Sequence, residues 1–238
     1  MSSSPSAAPA ASPPRPTLRF LWLHGFASSP QSSKARFMRA RLAERGAWLQ
    51  IPDLNEPEFR ALTISRSLAQ VDALADEPLP GGGRAQLVLC GSSLGGFTAA
   101  TWAATRPGRV AALVLLAPAF DLAAQWKASM KPDALAAWRR DGDYPLEHYA
   151  HGRTERLALS FLDDAEAHAP YPLSDAPTLV LQGTRDEVVA PRLAREFTER
   201  MERAGKPVRL VELDDGHELS KDLPGLWREI QAHLGGLL

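Results

Sequence analysis

The chain has 238 residues, of which 45% are hydrophobic and 23% charged, enough apolar material for one sizeable core of the larger α/β kind. Its formal net charge of -1 argues against a broad nucleic-acid surface, which needs a strongly basic balance. Cys90 is the single cysteine, so no internal disulfide forms; a cytoplasmic, reducing setting is expected, with Cys90 serving packing rather than reactivity.

Residues Met1 to Pro16 are almost entirely Ser, Ala and Pro, without the basic and apolar blocks of a secretory signal. No later stretch approaches the ~18 continuous apolar residues of a membrane span. We expect a disordered tail over 1–16 and one domain over 17–238.

Leu18 to Leu23 reads as a buried strand and runs into His24-Gly25-Phe26-Ala27-Ser28-Ser29-Pro30. A His-Gly loop at the end of an early strand can aim a backbone N–H, here that of Phe26, at a reacting carbonyl. His24 itself is expected to brace the loop rather than act as a base. Ser32 to Arg45 has helical spacing and stops at Gly46; Arg36, Arg39, Arg41 and Arg45 read as a solvated face more readily than as an anion site. Trp48 to Leu54 predicts a second strand, and Leu62 to Leu74 a helix.

The next apolar run, Gln86 to Cys90, meets Gly91-Ser92-Ser93-Leu94-Gly95, and a small-residue helical segment, Gly96 to Ala104, follows. This fits G-x-S-x-G, in which a serine sits on a strained strand-to-helix turn with its hydroxyl raised above the sheet. Ser93 is the candidate nucleophile, and the Leu94 amide a second oxyanion donor beside Phe26. Taken alone, the pentapeptide also reads as a glycine-rich turn whose serines cap a helix.

Val110 to Leu116 is a fourth apolar run, after which the alternation of strand and helix breaks. The stretch from Phe120 to Pro177 carries Trp126, Met130, Trp138, Tyr144, Tyr149, Phe161 and Tyr171 on short helix-like pieces punctuated by prolines. It predicts a helical cap insertion, about 120–177, that walls a pocket for a hydrophobic group. His148, His151 and His168 lack the cysteine or carboxylate spacing that would complete a metal site, and no metal or cofactor is expected.

Thr178 to Gln182 resumes the strand pattern, with Asp186 on the loop after it, and Val208 to Leu213 ends in Asp214-Asp215-Gly216-His217. Ser93, Asp186 and His217 thus stand in the order nucleophile, acid, base, each directly after a β-type segment. Asp214 or Asp215 is an alternative acid for His217. The expected fold class is α/β, a mainly parallel sheet of about six strands with helices on both faces.

The segments Leu23 to Pro30, Gly91 to Phe97 and Gly183 to Val189 resemble those of the small bacterial YqiA/YcfP-like esterases within the α/β-hydrolase superfamily. The resemblance runs from about Leu18 to the end and implies an ester or thioester hydrolase with Ser93, Asp186 and His217 as triad. The expected partner is a small-molecule ester or thioester, with neither nucleic acid nor a membrane span. An acyltransferase sharing the acyl-enzyme, or a ligand-binding protein on the same fold, are the alternatives. The cap matches no motif of that family.

Overall fold

In a computed structural model, residues 17–79 and 82–238 are described; the tail expected to be disordered lies outside them. Six strands form one sheet: β1 (Leu18–Leu23), β2 (Leu49–Gln50), β3 (Gln86–Ser92), β4 (Val110–Leu116), β7 (Thr178–Gly183) and β8 (Val208–Leu213). The order is β2-β1-β3-β4-β7-β8 and every pairing is parallel. β1, β3, β4 and β7 are almost continuously apolar because both faces of the sheet are covered.

On one face lie α2 (Ile64–Ala75), α3 (Leu94–Thr105) and α7 (Pro191–Arg203); on the other lie α1 (Ser33–Ala43) and α8 (Leu223–Leu234). The chain leaves β1 for β2 on one side, then crosses back to place β3 on the other side of β1. Strand order therefore reverses between β1 and β3, and a crevice opens at their carboxyl ends, where open α/β sheets bind ligands.

β2 is shorter than the expected Trp48 to Leu54 strand. Only Leu49 and Gln50 pair with β1; Trp48 is 72% exposed, and Pro52 has no N–H to donate to a ladder.

The cap region also departs from expectation. Helices α4 (Leu122–Ser129), α5 (Pro132–Asp141) and α6 (Ser160–Glu166) are present, but α5 and α6 are separated by an antiparallel hairpin, β5 (Asp143–His148) and β6 (Arg153–Ala158). The cap is therefore not wholly helical. Tyr144, Leu146 and His148 turn inward while Pro145 and Glu147 face out, the period-2 pattern of a half-buried strand. The Trp138 indole N–H donates to the Leu157 carbonyl at 3.0 Å, seating α5 on the hairpin. The Ala150 N–H donates to the Ala27 carbonyl at 3.1 Å, joining the hairpin turn to the His24–Pro30 loop.

Candidate active site

The turn between β3 and α3 is tight and strained. Ser93 has φ 54° and ψ -117°, a conformation that L-residues avoid. It is held there by three backbone bonds: its N–H donates to Leu116 at 2.8 Å, and its carbonyl accepts from Phe97 at 3.0 Å and Ala119 at 3.1 Å. The flanking glycines have a steric cause. A Cβ on Gly91 would collide with the Gly95 carbonyl, and one on Gly95 with the Leu23 carbonyl. α3 can thus begin directly over the ends of β1 and β3, and its first amide, that of Leu94, has no partner within the helix. Neither this N–H nor that of Phe26 finds an acceptor among the described residues, and both residues line the cavity that Ser93 faces.

His24 braces the loop that carries Phe26. It is 1% exposed, its Nε2 accepts the Leu54 N–H at 2.9 Å, and its Nδ1 therefore carries the proton donated to the Gly25 carbonyl at 2.9 Å. Asn55 completes the support, donating to the Ser28 carbonyl at 2.8 Å.

Asp186 is buried at the end of β7. Its Oδ1 accepts the N–H groups of Val188 at 2.9 Å and Val189 at 2.8 Å; its Oδ2 accepts Gln182 Nε2 at 2.9 Å and His217 Nδ1 at 2.8 Å. Burial pushes this carboxyl upward, but the bond from His217 and the two amides outweigh it and hold Asp186 below the ordinary aspartate value. A carboxylate only accepts, so His217 donates from Nδ1, and in the neutral imidazole the lone pair is on Nε2. Asp214 instead pairs with Arg185 and Lys221, each at 2.8 Å, and Asp215 accepts the N–H groups of Gly216 and Lys221. Asp186 is thus the carboxylate at the imidazole. Gly183 keeps the two loops close: a Cβ there would strike the Gly216 carbonyl.

Ser93 and His217 line one cavity of about 1350 Å³, with no hydrogen bond between the hydroxyl and the imidazole. Phe26, Leu122, Trp126, Leu146 and Phe161 give it an apolar wall, with Phe26 and Phe161 each 5.0 Å from Trp126 between ring centroids. His148 and His151 stack on each other with ring centroids 3.8 Å apart, and His151 bonds Glu155 at 2.7 Å, while His168 meets Ser65 at 3.1 Å. Among the described residues no group of three His, Cys, Asp or Glu converges on one point.

Sequence reasoning missed Gln182, Asn55 and Lys34 around this site. Gln182 carries a readable signal, an amide closing an otherwise apolar strand; the other two acquire meaning only from their tertiary neighbours.

The sheet order, the serine turn and the strand-end loops define a protein of the α/β-hydrolase fold. More narrowly, the chain belongs to the uncharacterised protein family UPF0227, whose model matches residues 19–232. Solved structures share the fold at low identity. Mouse alpha/beta hydrolase domain-containing protein 10 is 22% identical with a TM-score of 0.74, over 92% of this chain and 90% of that one. Est1E from Butyrivibrio proteoclasticus, with ferulic acid bound, is 19% identical with a TM-score of 0.75, over 92% and 88%. An esterase of Pyrococcus furiosus is 18% identical with a TM-score of 0.61, over 92% and 80%. No curated protein matches the chain. Among the described residues, no helix is long and apolar enough to cross a membrane.

Proposed function

We propose that the protein is a serine hydrolase cleaving a carboxylic ester or thioester of a small to medium hydrophobic acyl group. The observation that carries this reading is the His217–Asp186 pair at 2.8 Å, whose imidazole lines the same cavity as a strained serine and two amides without an acceptor among the described residues. Esterases among the structural neighbours support it by analogy of fold.

A serine hydroxyl is a weak nucleophile at neutral pH, so His217 Nε2 takes its proton as Ser93 Oγ attacks the acyl carbon. The carbonyl oxygen becomes an oxyanion held by the amides of Phe26 and Leu94, at the positive end of α3. Asp186 keeps the proton on Nδ1 and stabilises the imidazolium. His217 then returns the proton to the departing alcohol or thiol, leaving an acyl-enzyme on Ser93. Water, deprotonated by the same nitrogen, attacks that ester, and the proton passes from His217 to Ser93 Oγ as the acid leaves. The acyl group lies against the Phe26, Trp126 and Phe161 wall, which excludes water from the reacting bond.

Fluorophosphonate labelling followed by peptide mass spectrometry tests the assignment. One adduct on Ser93, lost in His217→Ala, is the expected result; a folded protein that takes up no label, or takes it elsewhere, removes Ser93 from the nucleophile role.

A further inference from the structure

Lys34 sits where a lysine is least expected. It is 6% exposed, and it lies in the first turn of α1, where the helix dipole disfavours a cation. Its side chain does not join the outward arginines of that helix but reaches the wall of the cavity lined by Ser93 and His217. The ammonium donates to the backbone carbonyl of Glu218 and, at 3.2 Å, to Oε2 of the same residue. The Glu218 carboxylate is 75% exposed, so the ion pair contributes little. The bond to the carbonyl, one residue after His217, is the feature that needs a reason.

The His217 loop is otherwise anchored to the acid side of the site. His217 bonds Asp186, the Arg185 N–H donates to the Asp215 carbonyl at 3.0 Å, and the Asp215 carboxylate closes on the loop's own Gly216 and Lys221. Among the described residues, Lys34 makes the one polar link from loop 214–222 to the oxyanion loop and the helix after it, residues 24–43. Leu219 follows immediately with φ 46°, so the backbone at this junction is held in a strained state.

We infer that Lys34 is a positioning residue for the base: by holding the Glu218 carbonyl it sets the distance from the His217 imidazole to Ser93 and to the amides of Phe26 and Leu94. The inference rests on the hydrolase reading. With the serine and imidazole not yet bonded to each other, their alignment depends on where this loop stands, and a displacement of ~1 Å costs about 100-fold in rate.

Lys34→Met keeps the aliphatic stem and removes the donors. It is expected to lower kcat about 10- to 100-fold with KM within about 3-fold, and Lys34→Arg to recover much of the loss. A second readout needs no substrate: the low-field proton resonance of His217 Nδ1–H, identified by its loss in His217→Gln, is expected in the wild type and lost to exchange in Lys34→Met. If Lys34→Met does not fold, Lys34→Gln, with a shorter neutral donor, must show the same kcat loss. Unchanged kcat with only a lower melting temperature makes Lys34 a packing residue and overturns the inference. A KM increase confined to anionic esters, at unchanged kcat, makes it a ligand-binding cation and also overturns it. A wild type without turnover whose resonance still depends on Lys34 keeps the latch and counts against the hydrolase reading. Wild-type turnover indifferent to Lys34 does the reverse.

Discussion

The floor and the roof of the cavity are built differently. The floor, at the carboxyl ends of β1, β3, β7 and β8, is fixed by backbone hydrogen bonds and by glycines that leave no room for one more methyl group. The roof, residues 120–177, combines one two-stranded hairpin and a few single hydrogen bonds with packed aromatic rings and with ion pairs near the surface such as Arg60–Asp143 and Lys127–Glu166. Surface pairs of that kind contribute little, and apolar packing tolerates substitution when its total volume is kept. On the proposed hydrolase reading the difference teaches where each property resides: the reacting groups need fixed geometry and stand on the floor, whereas the choice of acyl group belongs to the roof, which meets the floor at Phe26 and at the Ala27 carbonyl.

Substitutions on either side can break that division. The largest effect is expected from Gly95→Ala, whose Cβ falls on the Leu23 carbonyl. Backbone must move to admit it, at a cost of about 1–3 kcal/mol. In the proposed mechanism, moving α3 also carries the Leu94 amide away from the reacting carbonyl, and losing one such donor costs about 100- to 1000-fold in kcat. Thermal melts and kinetics on one ester read both. Near-wild-type stability with full activity would show that the floor is adaptable after all.

Trp126→Ala tests the roof. The ring touches Phe26, Trp138 and Phe161, and its removal is expected to lower kcat/KM about 10-fold for the longest acyl esters accepted, while the shortest change less than about 3-fold. An equal loss at every chain length would mean that the roof supports the chemistry directly.

The smallest effect concerns His148, which is fully buried against Phe59 and His151. Burial, and then the charge of His151, lower its pKa, against the opposing pull of Glu155 and Asp53. The unfolded chain therefore binds this proton more readily than the native one. Stability is retained above the ordinary histidine value and lost as pH falls below it. Between about pH 7 and pH 5, His148→Phe should melt with a shallower pH dependence than the wild type, as followed by calorimetry. Identical slopes would show that the hairpin does not report this titration.

Much of the floor was legible because its signals are local. β1, β4 and β8 have the limits that their apolar runs predict, Ser93 directly follows β3, and Asp186 and His217 stand on the loops that follow β7 and β8. The roof was less so. Tyr144 to His148 contains Pro145, which suggests an interruption, yet a proline is tolerated on the free edge of a two-stranded hairpin. Its aromatic spacing fits short helices as well as an alternating strand. Lys34 reads as one more cation on a charged helix until the His217 loop is packed against it, so its surroundings exist only in three dimensions. The same holds for Asn55, whose partner, the Ser28 carbonyl, lies 27 residues away in sequence.

The most direct test of the central claim is hydrolysis of p-nitrophenyl esters, from acetyl to long acyl chains, by the wild type and Ser93→Ala side by side. Turnover that peaks at one chain length and falls by about 10⁴-fold or more in a folded Ser93→Ala protein is the predicted result. Turnover retained by that variant would contradict an acyl-enzyme on Ser93.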